Sequence, residues 1–176
     1  RKSVADKKNR IMLDAAPLIS RGLGISAERS LTDNFSIGPR ASFFSMKSTE
    51  GTEFSHSVQM VGVAGRYFTK GAETNSLYLL GGLVQASAKT EARFTGTASG
   101  SASTSSVGPL AGVGYQIVPM KKIFGEKKTV INLGGMIGHG YGVEAVAAST
   151  GKGPTEVRDQ SIKSSLYFEA AFGMLF

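Results

Sequence analysis

The last eleven residues, 166–176, form two faces that differ completely. The even-numbered face is apolar, and the odd-numbered face combines Glu169 with small residues such as Ala171 and Gly173. Because successive side chains of a strand point to opposite sides, this segment predicts a strand with an apolar side and a small, polar side. Such a strand is typical of a membrane β-barrel, in which lipid covers one face and the lumen lies behind the other.

The composition fits strands that cross a membrane rather than helices. Mean hydropathy is −0.02, and no run approaches the ~18 consecutive apolar residues that a membrane helix needs. A barrel strand needs only about 9–11 residues with alternate apolar positions, so neutral hydropathy is compatible with it. The 23 glycines disfavour helices. The lack of cysteine excludes disulfides, thiol catalysis and cysteine metal sites.

Seven further segments show the same alternation between turn-forming stretches. The eight segments are 11–19, 23–31, 35–45, 60–68, 76–94, 107–117, 131–144 and 162–176. An even number of strands closes a single-chain barrel and leaves no free edge. The predicted fold is therefore all-β: an eight-stranded antiparallel up-and-down transmembrane β-barrel over residues 11–176, preceded by a polar, basic tail of residues 1–10.

Charged residues set the predicted inner face. One alternation rule, applied to all segments, places about ten charged side chains inward and about one, Arg29, outward. This distribution is expected because a charged side chain that faces lipid destabilises the barrel. In the fifth segment this rule places Lys89 and Glu91 inward and Tyr78 outward. Pro17, Pro39 and Pro109 each remove a ladder donor, so a bulge or bend near each of them, or a position at the end of a strand, is expected. These choices fix the predicted register.

Five inward charges are expected at comparable heights in the lumen: Asp14, Glu28, Arg40, Arg66 and Glu169. The interior of an eight-stranded barrel is just wide enough for side chains to fill it. Buried charges there must be matched by opposite charges and hydrogen bonds. The set is therefore predicted to be a structural plug, and a gated ion path or a ligand site is the alternative.

The final segment ends on Phe176, with Phe172 and Met174 on the same apolar face. With the eight-segment pattern, residues 11–176 resemble the eight-stranded outer-membrane barrels of the OmpA and OmpX type. The resemblance implies that Phe172, Met174 and Phe176 are an assembly signal for the barrel-assembly machinery. It also implies a monomer with both termini in the periplasm and with outer-membrane lipids and lipopolysaccharide around it. Residues 9–28 and 32–38 are also similar to a small bacterial barrel family of uncharacterised role.

Chemistry of other kinds has little support. The two histidines are His56, in a serine-rich stretch, and His139, which is expected beside Tyr141 in an interfacial aromatic belt. A lipid A deacylase-like hydrolase would need a serine two positions after its histidine, where this chain has Tyr141. The carboxylates lack metal-ligand spacing. No catalytic residue, metal or cofactor is predicted.

The net charge of +7 first suggests nucleic acid as a partner, but no aromatic stacking platform accompanies the basic residues. Nucleic acid is therefore not an expected partner. We predict a non-enzymatic outer-membrane barrel with a structural or surface-interaction role through external loops at 20–22, 47–57, 95–106 and 147–160. A lipid-modifying hydrolase, a narrow pore and a soluble ligand-binding barrel are the alternatives.

Overall fold

The structure is a computed structural model that describes residues 9–15, 22–48, 53–93, 99–119, 128–149 and 154–176. At 48, 93, 141–149 and 154–165 it describes the backbone alone. Eight strands follow one another: β1 Asn9–Asp14, β2 Leu23–Ser30, β3 Phe35–Ser48, β4 Glu53–Phe68, β5 Ser76–Arg93, β6 Ser99–Ile117, β7 Lys128–Ser149 and β8 Pro154–Leu175. The described part of the chain contains no helix long and apolar enough to span a bilayer.

The strands form a closed antiparallel barrel, in which each strand pairs with its sequence neighbours and β1 pairs with β8. At this seam, Asn9 and Phe176 exchange two backbone hydrogen bonds of 2.7 and 3.0 Å. The ladder continues from Arg10 opposite Leu175 to Asp14 opposite Ala171. The predicted eight-stranded antiparallel barrel is confirmed. We call the end that holds Asn9 and Phe176 the terminal end, and the opposite end the distal end.

Several strands are longer than the sequence pattern predicted. β1 begins at Asn9, so Arg10 belongs to the barrel rather than to the tail of residues 1–10. At the distal end, β6 already starts at Ser99, and β7 and β8 continue to Ser149 and from Pro154. Stretches within 95–106 and 147–160 were expected to be loops because they are rich in small and polar residues. Backbone ladders hold them as strands instead, since ladder bonds do not require apolar side chains.

An apolar band surrounds the outside of the barrel. Wherever side chains are described, the predicted inward and outward faces hold in β1 to β4 and in β6 to β8. The outward positions carry exposed large side chains, including Ile25, Val63, Val113, Leu133 and Phe168, the last 69% exposed. Exposed apolar patches of this extent mark contact with an apolar partner. A soluble barrel, in contrast, has polar residues at such positions.

The predicted orientation of β5 is wrong. Tyr78, Leu80 and Val84 are buried in the lumen, whereas Leu79 and Leu83 are exposed on the outer face. Both faces of this strand are apolar, because its inner face packs into an apolar part of the lumen. The charges at its distal end therefore determined the predicted orientation. Lys89 and Glu91 lie on the outer face, where they form a solvent-exposed ion pair of 2.6 Å.

The prolines of β3 and β6 interrupt the ladder without shifting the register. Pairing between β2 and β3 omits Ala27 opposite Pro39 and resumes in the same register, and pairing between β6 and β7 omits Pro109 opposite His139. A glycine precedes each proline, and a Cβ at Gly38 would overlap the carbonyl of Ala27. The expected bulge is therefore replaced by a close approach of two backbones. Pro17 lies outside the described residues.

The orientation of β5 can be tested by spin labelling, because the chain has no cysteine of its own. A nitroxide on Leu79→Cys should be mobile and accessible to dissolved oxygen in detergent micelles, since this position lies on the outer face. A nitroxide on Leu80→Cys should be immobile or should disturb folding, because the native side chain is buried. Continuous-wave electron paramagnetic resonance with oxygen relaxation measures both. The reverse pattern would restore the orientation predicted from sequence.

Candidate functional site

A charge cluster lies in the lumen near the terminal end, with Arg66 of β4 at its centre. The Arg66 guanidinium donates from Nη1 to Glu28 on β2 and from Nη2 to Glu169 on β8. All three side chains are fully buried. One arginine therefore joins strands on opposite sides of the barrel. A buried carboxylate without a cation destabilises the fold by several kcal/mol, about the desolvation penalty typical of buried ions. The Arg66 guanidinium offsets this penalty for both carboxylates.

Three further side chains complete this cluster. Tyr78 on β5 donates its hydroxyl to Glu169 Oε2 at 2.5 Å, and Ser36 on β3 donates to Glu28 Oε2 at 2.7 Å. Arg10 on β1 lies with Nη1 4.0 Å from Glu28 Oε2. Residues from β1, β2, β3, β4, β5 and β8 therefore meet at one point. The cluster crosses the lumen instead of lining it.

Apolar side chains fill the lumen beside and above the charge cluster. The guanidinium of Arg66 lies 5.3 Å from the ring centroid of Tyr78, and that of Arg10 lies 4.7 Å from the centroid of Phe68. These rings belong to a buried apolar group that also contains Met60, Ala64, Leu80, Val84, Leu110 and Met136. We call this group the lumen core. Side chains therefore occupy this part of the lumen.

The turn between β4 and β5, residues 69–75, folds against the terminal end of the lumen. We call it the base turn. Its Gly71 has a φ of +107°, a backbone conformation that favours glycine. The buried Ala72 accepts hydrogen bonds from Arg10 Nη2 at 2.8 Å and from Gln116 Nε2 at 3.0 Å. Because β1 and β6 both hold this turn, the base turn is part of the lumen packing.

The five predicted lumen residues are all buried, and the contacts described here join three of them directly. Glu28, Arg66 and Glu169 are brought together. Arg40 donates to the sulfur of Met136 at 3.2 Å, and Asp14 accepts from the backbone N–H of Ala170 at 3.1 Å. The structural role assigned to this set stays a prediction.

Sequence reasoning missed Arg10 and Tyr78 as members of the cluster. Arg10 lies on the same inward face as Met12 and Asp14, so extending the predicted first strand, 11–19, by one residue would have found it. Tyr78 was placed outside because β5 was predicted in the wrong orientation. Its register partner is Phe68, which was predicted to face inward, and antiparallel partners share a face.

The residues of the predicted assembly signal lie at the seam. Phe172 is opposite Leu13 and Met174 is opposite Ile11, with all four on the outer face of β1 and β8. Phe176 ends the seam through its backbone bonds to Asn9. Their role in assembly stays a prediction.

His139 lies on the outer face of β7, as predicted. The backbone register places Ser164 of β8 directly opposite it. The side chain of Tyr141, its predicted belt neighbour, is outside the described residues. Among the described residues, no three His, Asp or Glu side chains are placed to hold a metal ion.

Comparisons with known proteins support the fold. No family model matches the sequence, and no curated protein matches it. Among solved structures, the chain is similar to a major outer membrane protein from Thermus thermophilus, with a TM-score of 0.64 and 8% sequence identity. The alignment covers 97% of this chain and 98% of that chain. At this identity, the similarity shows a shared fold over the whole barrel.

The importance of the charge cluster can be tested with Arg66→Ala. Removing Arg66 leaves two buried carboxylates without their shared cation, so the free energy of unfolding should fall by about 3–5 kcal/mol, the range for a broken buried ion pair. Arg29→Ala is the matched control, because Arg29 is an exposed arginine on the outer face. Its effect should stay within about 0.5 kcal/mol.

Urea-induced unfolding of the two variants in detergent micelles measures this difference. We expect no ion conductance from Arg66→Ala in planar bilayers, since the lumen core and the base turn still close the lumen. Equal stability of the two variants would show that the cluster does not hold the barrel together. Stable conductance of Arg66→Ala would support the narrow-pore alternative.

Proposed function

We propose that this chain is an integral barrel of a bacterial outer membrane, similar to the OmpA and OmpX type, which does not conduct ions and interacts with other molecules through its distal end. The observation that carries the proposal is the exposed apolar band around a closed barrel. Lipid is the partner that covers such a band on all sides. The fold shared with the outer membrane protein from Thermus thermophilus supports this location.

Strand length supports a part that projects from the membrane. About 9–11 tilted residues cross a bilayer, whereas β7 and β8 each have 22 residues. On the outer face, apolar residues end near Leu83 and Val107 and are followed distally by Gln85 and Ser105. The distal part of β3 to β8 therefore extends into water. With termini in the periplasm, this part faces the outside of the cell.

Among the described residues, the two outer strands of the projecting sheet pair on one side. β1 and β2 are only 6 and 8 residues long, and their described pairing with β8 and β3 reaches Ala171 and Phe43. The ladders described beyond these points join β8 to β7 as far as Pro154 and β3 to β4 as far as Ser48, and residues 16–21 lie outside the described part of the chain. Unpaired strand edges bind extended segments of other chains by strand addition. We propose that the β8 edge is the interaction surface.

Shortening the β7–β8 hairpin tests both parts of the proposal. Ala145 and Arg158 are register partners, so residues 146–157 can be replaced by a two-residue Asn-Gly turn without changing the remaining ladder. We expect the wild type and the shortened variant to require detergent and to migrate differently on gels before and after heating. A monomer that is freely soluble without detergent would contradict the membrane location.

Selection from a phage-displayed peptide library measures the interaction. The wild type should enrich extended peptides with β-branched residues at alternate positions, and the shortened variant should enrich them less, because it lacks residues 154–157, the distal end of the β8 edge. Equal enrichment by both proteins would exclude the distal end of this edge as the interaction surface while leaving the membrane location intact.

Hydrolysis of a lipid ester is a second candidate function, favoured by the register pair of His139 and Ser164. Directly opposed residues have Cβ atoms about 4.5–5.5 Å apart, close enough for a histidine to serve a serine nucleophile. This candidate rests on that one register pair, so we favour the interaction role.

His139→Ala distinguishes the two functions. We expect cells that carry this variant to have the same lipid A acylation as cells with the wild type, measured by mass spectrometry of extracted lipid A. Tyr115→Ala, which changes another exposed residue on the outer face, is the control for general effects on the barrel. A change in acylation with His139→Ala alone would establish the hydrolase.

A further inference from the structure

A single charged side chain interrupts the apolar band on the outer face. Among the described outward positions of this band, Arg29 of β2 carries the one formal charge. Its side chain is exposed, and no ion pair joins it to a described residue. A charged group that faces lipid destabilises a barrel unless it reaches the headgroups or an opposite charge. Arg29 therefore requires a polar or anionic partner at its own height.

Apolar side chains surround Arg29 on its own strand and on both neighbouring strands. Ile11, Leu31 and Ile37 are 41%, 45% and 38% exposed on the outer face. The register places Arg29 between Ile37 of β3 and Asn9 of β1. Asn9 is exposed, and its side-chain amide can donate a hydrogen bond beside the guanidinium. Arg29 and Asn9 therefore form a polar pair within an apolar surface.

The polar pair lies at the terminal end, at the height expected of a membrane interface. Asn9 itself belongs to the residues that define this end. On the outer face near the same end, Tyr67 of β4 and Tyr115 of β6 are 52% and 44% exposed. Tyrosines of this kind are enriched where the hydrocarbon meets the lipid headgroups. Since β2 ends at Ser30, Arg29 lies at the level of the lipid phosphates rather than of the acyl chains.

The large ring nearest to Arg29 on β3 packs in the opposite direction. Phe35 lies over Gly65 of β4, with its Cζ atom 2.8 Å from the position that a Cβ of Gly65 would take. The ring therefore covers β4 and not β2. Asp33, the acidic residue of the β2–β3 turn, holds this turn to the base turn through its carbonyl, which accepts from the N–H of Ala72 at 2.8 Å. The exposed guanidinium of Arg29 is therefore accessible from the lipid side.

The terminal end also carries most of the positive charge of the sequence. The stretches that precede β1 or run between strands at this end, with the strand ends beside them, hold ten basic and four acidic residues: 1–8, 29–34, 69–75 and 118–128. The net charge of the whole chain is +7. A positive field of this kind attracts anionic groups within a Debye length of about 10 Å at 0.1 M salt. It favours an anionic lipid over a zwitterionic one beside Arg29.

We propose that Arg29 and Asn9 bind the phosphate of an anionic phospholipid at the interface of the terminal end. The planar guanidinium donates two parallel hydrogen bonds to the phosphate oxygens, and the Asn9 amide adds a third. The acyl chains of this lipid lie over Ile11 and Ile37, which are exposed on either side of the pair. The proposal rests on the membrane location proposed above, and the site is separate from the β8 edge.

The chain has no tryptophan, so one introduced tryptophan reports on the lipid that contacts it. Ile37→Trp places this reporter directly opposite Arg29. Leu133→Trp, the matched control, places it on the outer face of β7 between Tyr115 and Ala170, which are uncharged. Quenching by brominated phosphatidylglycerol and brominated phosphatidylcholine, in bilayers that contain both lipids, measures the relative association constant of the two lipids at each reporter.

At Ile37→Trp we expect phosphatidylglycerol to be preferred about fivefold, the ratio that corresponds to about 1 kcal/mol for one basic residue at an anionic surface. At Leu133→Trp the ratio should be close to one. Adding Arg29→Gln to Ile37→Trp should lower the ratio to that of the control. Adding Arg29→Lys should keep part of the preference, because lysine retains the charge but not the bidentate contact.

Heat-modifiable migration on gels establishes that each variant is folded, and Ile11→Trp, also beside Arg29, replaces Ile37→Trp if the latter does not fold. Equal ratios at the two reporters would mean that lipid is attracted by the general charge of the terminal end, and this would overturn the proposal. A preference that survives Arg29→Gln would overturn it as well. A wild-type barrel that inserts into neither lipid would contradict the membrane location, and with it this site.

Discussion

Closure of the sheet through β1 is the constraint on which the rest of the structure depends. This strand has six residues, yet it must pair with both β2 and β8 to remove the two free edges of the sheet. It also carries Arg10, which reaches the base turn and approaches Glu28. The same short strand therefore closes the wall and helps to close the lumen. Longer strands would add little to either task at the terminal end.

The charge cluster and the lumen core are two solutions to the narrow interior of an eight-stranded barrel. In the part surrounded by the apolar band, Arg66 joins two acids and the lumen core fills the remaining space. Farther along, small residues replace large ones and the outer face becomes polar. Each region is consistent with its surroundings, since lipid requires an apolar outside and water requires a polar one. The change occurs along continuous strands, near Val84 and Val107.

The alternation of apolar residues predicted the strand number, the closure and most of the inner face, because one side of each membrane-facing strand must be apolar. It failed where both sides are apolar, as in β5, whose inner face packs in the lumen core. It also failed where neither side is strongly apolar, as in distal β6. The pairing of Arg66 with Glu28 and Glu169 depends on height and register together, and a single sequence specifies neither directly.

The seam between Asn9 and Phe176 also determines the order in which the barrel can form. Every other pair joins consecutive strands, and such local contacts form early because little chain entropy is lost. The seam joins the first strand to the last and must form late. Until β8 joins the sheet, β1 has only β2 as a partner. Before the seam forms, the paired strands are therefore an open sheet with exposed edges, which is prone to aggregation.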